Sequence, residues 1–414
     1  MILICAIVLA VYVAGIGLAP FPHWRTYLLL WKHTLTDRER AVDRAARLGQ
    51  IRLLLRYLVL VPLWTCLWYL DECLYPSYRR QPVRPIFIFG QPRSGSTLLH
   101  RTLARDMSRF VAVRHLEWRY PYITVQKLFA WLGVDRWAGT TSYWSDGEEG
   151  RRAARMHPNT LYDFEEDGIF FEECLLCHYF VLFRFPFVDL LSSIDDFSVL
   201  SPRDRRHILA VHRKVIQKML YLRHADETQF YLSKEVESMT KMAAIAELYP
   251  DATFITSARR SDEFLNSLLA LIESSTRSKT GVATPAIPRW RTVNVTKKQR
   301  DCRLQLTFLH ERIAEDQQIR VPYRELCRDL PGVIAHIHDR LNIPPPPVGS
   351  LGEAAGEPAL EGRGYTYHRS VFPGFEAFDA FVAAVEREYD EGRLTVEHMV
   401  SIGIEREEVK HAHQ

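Results

Sequence analysis

Gly90-Gln91-Pro92-Arg93-Ser94-Gly95-Ser96-Thr97 is the part of this chain whose residue types and spacing can do chemistry. Glycines at both ends of a short loop let backbone N–H groups turn toward an anion. A helix starting at Ser96 sets its dipole in favour of negative charge at the same point. The spacing almost completes the triphosphate-binding loop G-x-x-x-x-G-K-[ST]. Ser96 stands where that loop has its lysine, and the cation lies inside the loop as Arg93. A guanidinium fork suits a bidentate grip on oxyanions. The loop is therefore suited to a phosphate with no γ-phosphate beyond it. A second basic pair follows the run Thr253–Ser257: Arg259 just past its end and Ser267 eight residues later. Both can face the same edge of a sheet, where arginine supplies charge and serine a hydrogen bond. Taken alone, such a pair reads more readily as solvated residues at a helix start.

These groups need elements to hold them. Ile86–Phe89 is a short run of strand formers, followed by a helix with Leu98, Leu99, Thr102 and Leu103 on one side. Gln229–Leu232, Thr253–Ser257 and Ile319–Pro322 are further strand-like runs, each followed by a helical pattern. Strands alternating with helices predict a parallel sheet covered on both faces, with ligands at the carboxyl ends of its strands. Residues 140–220 are predicted helical and rich in aromatics, a cap or substrate region. Residues 344–362 read as a loop, and Phe375–Tyr389 as a helix.

The 414 residues suffice for a full core, and a net charge of +3 is too balanced to indicate a nucleic-acid partner. Seven cysteines, odd in number and scattered, make no disulfide framework, and Cys174 and Cys177 read as buried thiols. Met1–Pro20 carries no charge, enough for one membrane span. Tyr57–Leu70 is a shorter apolar run whose Trp64, Trp68 and Tyr69 suit an interface-lying or re-entrant segment, with a buried helix of the globular part as the bland alternative. The basic stretch between them points to the cytoplasmic side. With one span the rest of the chain stays in the cytosol; with two it is carried across. The expected organisation is a membrane-associated helical region at 1–80 and a catalytic domain at 81–414. Asn294-Val295-Thr296 is a glycosylation sequon that does not fix the compartment.

Taken together, the two basic sites give a specific resemblance. The chain resembles the sulfotransferase superfamily that uses 3′-phosphoadenosine 5′-phosphosulfate, in its bacterial and tyrosylprotein-sulfotransferase-like branch. Pro92-Arg93-Ser94-Gly95-Ser96-Thr97-Leu98-Leu99 is similar to the family fingerprint P-[RK]-S-G-[ST]-T-x-L, and Arg259 with Ser267 has the spacing of its 3′-phosphate site. Leu232-Ser233-Lys234, with Leu248-Tyr249-Pro250-Asp251-Ala252-Thr253-Phe254-Ile255, resembles its LK…fPdAkfI block. Val321-Pro322-Tyr323-Arg324-Glu325-Leu326 resembles its YedL block, and His157-Pro158 with Glu165-Glu166-Asp167 a looser P…EDE segment. The match runs over roughly residues 85–345.

The resemblance implies a P-loop-type three-layer α/β fold with a central parallel sheet, to which the N-terminal membrane-associated helices are added. It implies transfer of a sulfuryl group from that donor to an acceptor hydroxyl, without a metal. Arg93, Ser94, Gly95, Ser96, Thr97, Leu98, Arg259 and Ser267 then bind the donor nucleotide, and Tyr323 contacts it. Glu117, within Arg114-His115-Leu116-Glu117-Trp118, is the expected base, with His115 as its rival and ion pairing to Arg114 or Arg119 as the bland alternative. Lys234 is expected to reach the sulfuryl group or the bridging oxygen. The membrane segments favour a lipid-linked or membrane-presented hydroxyl, on lipid or carbohydrate. A P-loop kinase or hydrolase is disfavoured by Ser96 in the lysine slot and by the lack of a clear magnesium-binding aspartate. A catalytically dead scaffold is disfavoured by the retention of Arg93, Glu117 and Lys234.

Overall fold

The computed structural model describes residues 2–37, 42–144, 146–178, 183–190, 194, 196–236, 238–280, 288–345 and 372–401. Most of the loop expected at 344–362 lies outside them.

Five parallel strands form the centre: β1 (Pro85–Gly90), β2 (Phe110–Val111), β3 (Phe230–Glu235), β4 (Thr253–Ala258) and β5 (Gln318–Pro322), in the order β2-β3-β1-β4-β5. β1 sits between β3 and β4, so its carboxyl end lies where the chain switches direction across the sheet. The side-chain period of two sends the residues of β1 alternately into two cores. Ile86 and Ile88 join Leu232, Ile255 and Ile319, under helices α4 (Ser96–Ala104) and α15 (Leu330–Arg340). Phe87 and Phe89 join Tyr231 and Phe254 on the other face, under α10 (Pro202–Leu222) and α11 (Met239–Leu248). The expected three-layer arrangement follows. β2 has only two residues, too few for any periodicity to show, and the sequence reading passed over it.

The segment expected to be helical over 140–220 is largely irregular. Among the described residues, apart from α10, it holds the short helices α8 (Glu148–Met156) and α9 (Gly168–Glu173), helical residues at His178, Phe183 and Arg184, and single 3-10 turns. Pro158, Pro186, Gly147 and Gly168 interrupt the apolar pattern there. α12 (Ser261–Thr280), α13 (Pro288–Glu311) and α16 (Glu376–Ser401) pack on one another through Phe264, Cys302 and Phe378. The sequon falls inside α13, where buried Asn294 donates to the Trp290 carbonyl at 2.9 Å, a position closed to glycosylation.

At the N-terminus, α1 (Ile2–Gly17) has 16 residues, fewer than the ~20 a membrane span needs. It lies along α3 (Arg44–Leu74), a 31-residue helix that takes in the whole second apolar run. α3 buries Leu54, Tyr57, Val61, Trp64 and Trp68 in the same core as Phe87 and Phe89, so the helices before residue 80 and the sheet share one interior. Its other side leaves Leu55, Val59, Leu63, Leu70 and Leu74 exposed. By length and composition it is the one described helix able to cross a membrane, a test that core helices of soluble proteins also pass.

Candidate active site

β1, β3, β4 and β5 all end at one edge, beside a cavity of about 610 Å³. The turn after β1 is shaped by residues that tolerate positive φ. Gly90 has φ 143°, and a Cβ there would lie 2.7 Å from the Ser257 carbonyl oxygen. Gly95 has φ 84°, and a Cβ there would run into Leu326 and crowd Tyr323. Arg93 also adopts a left-handed backbone, φ 67°, uncommon outside glycine. Side-chain bonds secure it: its Nε donates to Ser267 Oγ at 3.0 Å and its Nη1 to the Met156 carbonyl at 3.0 Å.

The second basic site meets the first. Arg259 Nη1 donates to the Arg93 carbonyl at 2.6 Å, and Arg259 lies 4.0 Å above the Tyr323 ring. Its Nε donates to Glu263 at 3.1 Å. Arg93, Arg259, Ser267 and Tyr323 thus form one cluster on the cavity wall, although 230 positions separate the first from the last. Ser96, Thr97 and Leu98 line the cavity where α4 begins. Ser94 does not face it. Its buried hydroxyl donates to the Gln91 carbonyl at 2.6 Å, and its own carbonyl accepts from Ser257, so its side chain shapes the turn from beneath.

Lys234 marks the end of β3. Its buried ammonium donates to Thr97 Oγ1 at 2.9 Å and pairs with Glu166 at 3.0 Å and Glu165 at 3.5 Å. Burial alone would lower its pKa, but the two carboxylates more than offset that and hold it above the usual lysine value. Burial would likewise raise the pKa of Glu165, yet Lys234, His157 and Arg101 hold it well below the carboxylate range. The Asp167 amide donates to the Lys234 carbonyl at 3.1 Å, and the Asp167 carboxylate accepts from Tyr231 at 3.0 Å and bonds His212 at 2.9 Å. The Glu165-Glu166-Asp167 segment is fastened to the end of β3 in this way.

The structure does not bring Glu117 to this cavity. Its carboxylate accepts from the Arg114 amide at 2.6 Å and from Arg223 at 2.5 and 2.7 Å. Glu117 sits at the third position of the short helix α5 (His115–Arg119), and there it closes a capping box. The expected ion pairing of Glu117 occurs, with Arg223 in place of Arg114 or Arg119 side chains. His115 does line the cavity. Burial, then Arg119, pulls its pKa down to about 4, and its Nε2 accepts from Arg119 Nε at 3.4 Å. Its basic lone pair is therefore directed at a guanidinium.

Sequence reasoning left out of the site several residues that line the cavity: Arg101, Tyr143, Trp144, Glu172 and Arg184. They lie on irregular segments or pair across the fold, as Glu172 does with Arg119 at 2.7 Å. His157, Glu165 and Glu166 also line it, and the P…EDE likeness was their only signal. Cys174 and Cys177 are buried, as expected. No group of three or more potential metal ligands occurs among the described residues.

Residues 85–347 match the model of the sulfotransferase family. The chain belongs to the sulfotransferase family. A solved sulfotransferase from Mycobacterium avium is 16% identical, with 96% of each chain covered and a TM-score of 0.63. Another, from Mycobacterium tuberculosis H37Rv, is 18% identical, covering 86% of this chain and 95% of that one with a TM-score of 0.59. At such identities these likenesses concern the fold. No curated protein matches this sulfotransferase.

Proposed function

We propose that this sulfotransferase moves a sulfuryl group from 3′-phosphoadenosine 5′-phosphosulfate to an acceptor hydroxyl at the surface of a membrane. The observation that carries the donor assignment is the contact of the two basic sites, Arg259 Nη1 on the Arg93 carbonyl and Arg93 Nε on Ser267. A nucleotide phosphorylated at both 3′ and 5′ positions needs two anion sites one nucleoside apart. The glycine turn with Ser96 and Thr97 supports a 5′-phosphate, and Arg93, Arg259 and Ser267 support a 3′-phosphate. Tyr323, held under the Arg259 guanidinium, adds a flat wall. When bound, the donor supplies an activated sulfuryl group on a phosphate leaving group.

Lys234 fits the remaining task. It bridges Thr97 to the carboxylates of the floor, and a fixed cation there would neutralise charge on the departing phosphate oxygen. Its raised pKa keeps it charged over the whole physiological range. Arg93 and Arg259 would hold the nucleotide so that the acceptor oxygen approaches in line.

Membrane association rests on a different surface. The outer side of α3 is apolar, and Arg52 and Arg56 are exposed near its start. Beyond its end, α6 (Ile123–Leu132) and α7 (Val134–Thr140) carry Trp131, 80% exposed, and Trp137. The Asp71 carboxylate at the end of α3 accepts from the Ile123 and Thr124 amides at 2.6 and 3.0 Å, which joins the two surfaces. Exposed tryptophans and an apolar helix side suit the headgroup region of a bilayer. Because α3 gives one side to the protein core, the reading is a protein lying in one leaflet, with its catalytic part on the cytoplasmic side.

Calorimetry with adenosine 3′,5′-bisphosphate against ADP tests the donor. Binding of the bisphosphate well ahead of ADP is expected, and preference for ADP overturns the assignment. Transfer of labelled sulfate from the donor into a membrane extract then identifies the acceptor class.

A further inference from the structure

We propose that Glu166 is the general base that takes the proton from the acceptor hydroxyl. This rests on the sulfotransfer reading above. Glu117 closes a helix away from the cavity, so the base must be sought among groups that face it.

The cavity offers five carboxylates, and their surroundings separate them. Glu263 and Asp262 belong to the nucleotide end, paired with Arg259 at 3.1 Å and Arg260 at 3.2 Å. Glu172 is held by Arg119 at 2.7 Å. Glu165 is boxed in by Lys234, Arg101 and His157, and its side chain is 3% exposed. Glu166 is 19% exposed and has Lys234 at 3.0 Å. Lys234 in turn has Thr97 at 2.9 Å, so Glu166 and the start of α4 flank one ammonium. An acceptor oxygen attacking in line, opposite the phosphate held at α4, comes up on the Glu166 side of that ammonium. The two cavity histidines are less suited. His115 directs its Nε2 at Arg119, and His157 has its Nε2 3.9 Å from Glu165.

Glu166 accepts the hydroxyl proton while the acceptor oxygen forms its bond to sulfur. Lys234 neutralises the phosphate oxygen that keeps the electron pair as its own bond to sulfur breaks. The exposed side of Glu166 then passes the proton to water.

The test uses the full chain carrying Glu166→Gln, with labelled donor and three acceptors: a membrane extract, water and 4-nitrophenol. Calorimetry with adenosine 3′,5′-bisphosphate is expected to give the same affinity as the unchanged protein within about threefold, since Glu166 lies off the nucleotide end. Transfer to the extract, and sulfate release to water, should fall by about 10²–10⁴, the usual worth of a general base. Any transfer to 4-nitrophenol at pH 8, where the phenol ionises unaided, should fall by less than about fivefold. Glu166→Asp should recover part of the loss. Unchanged rates with extract and water overturn the proposal. So does an equal loss with all three acceptors, which would make Glu166 a positioning residue for Lys234. Failure of the unchanged protein to bind the bisphosphate would instead sink the donor reading.

Discussion

The two ends of the cavity are built on opposite plans. At the end proposed for the nucleotide, one continuous turn, Gly90 to Thr97, owes its shape to backbone geometry that two glycines and the left-handed Arg93 make possible. At the floor, the groups come from segments far apart in the chain: Thr97, Glu165 and Glu166 converge on the buried ammonium of Lys234, with His157 beside Glu165. A local site fixes the spacing of its residues in sequence. A site assembled from distant segments fixes only their types, because a buried charge must find an opposite charge wherever the fold provides one. The first plan tolerates little change in backbone, and the second little change in charge.

Breaking the floor should have the largest effect. Lys234→Ala removes the cation proposed to neutralise the leaving oxygen and should lower transfer by about 10²–10³, the range for loss of one preorganised donor. Bisphosphate affinity should stay within a few-fold. A loss of affinity as large as the loss of rate would assign Lys234 to the nucleotide end and erase the contrast between the two.

The nucleotide end is tested by selectivity. Arg93→Ala and Arg259→Ala should each weaken adenosine 3′,5′-bisphosphate by about 10- to 100-fold, equivalent to roughly 1.5–3 kcal/mol for a hydrogen bond to a charged group. ADP, which lacks the 3′-phosphate, should lose less. Equal losses for both nucleotides would show that these arginines serve the turn and not the 3′ group. Arg93 holds Ser267 and Arg259 holds the Arg93 carbonyl, so the double variant should lose less than the sum of the singles.

The same division decides what could be read from sequence. The strand-turn-helix, the second arginine with its serine, and four of the five strands follow from short-range pattern, and the structure has them within a few residues of their expected bounds. Lys234 sits at a strand end because the strand itself was legible. Glu117 went elsewhere, because Arg223, on a turn 106 positions later, reaches it and the Arg114 amide needs a cap. Nothing in the local pattern reveals such a partner. Ser94 was read as a ligand by its place in the fingerprint, whereas its side chain is spent within the turn. The aromatic segment 140–220 misled because apolar residues are plentiful wherever a chain wraps a core, with or without helical period.

Glu117 gives the next test in order of size. Glu117→Gln keeps the cap geometry but loses the charge that holds Arg223. It should cost about 1–3 kcal/mol of stability, read as a lower melting temperature, with transfer rate per folded molecule within about twofold. A large loss of rate without loss of stability would return Glu117 to the catalytic role and demand a rearranged α5.

The effect that is smallest at neutral pH, where it vanishes, comes from two buried histidines. His100 lies in α4, with its Nε2 3.4 Å from the Leu232 carbonyl, and His115 lies in α5 and lines the cavity. Burial is the main cause that pulls each to about 4, with Lys234 adding to it for His100 and Arg119 for His115. In the unfolded chain both titrate near 6.5. Above that value neither state binds the proton and stability is unaffected. As pH falls from 6.5 toward 4 the unfolded state gains protons that the folded state refuses, so stability drops with falling pH. The full loss is on the order of 3 kcal/mol for each histidine. His100→Gln and His115→Gln should each flatten that acid limb in urea melts between pH 7 and 4. If only His100→Gln flattens it, the surroundings of His115 open to water before those of His100 do, so α5 is held less firmly than α4.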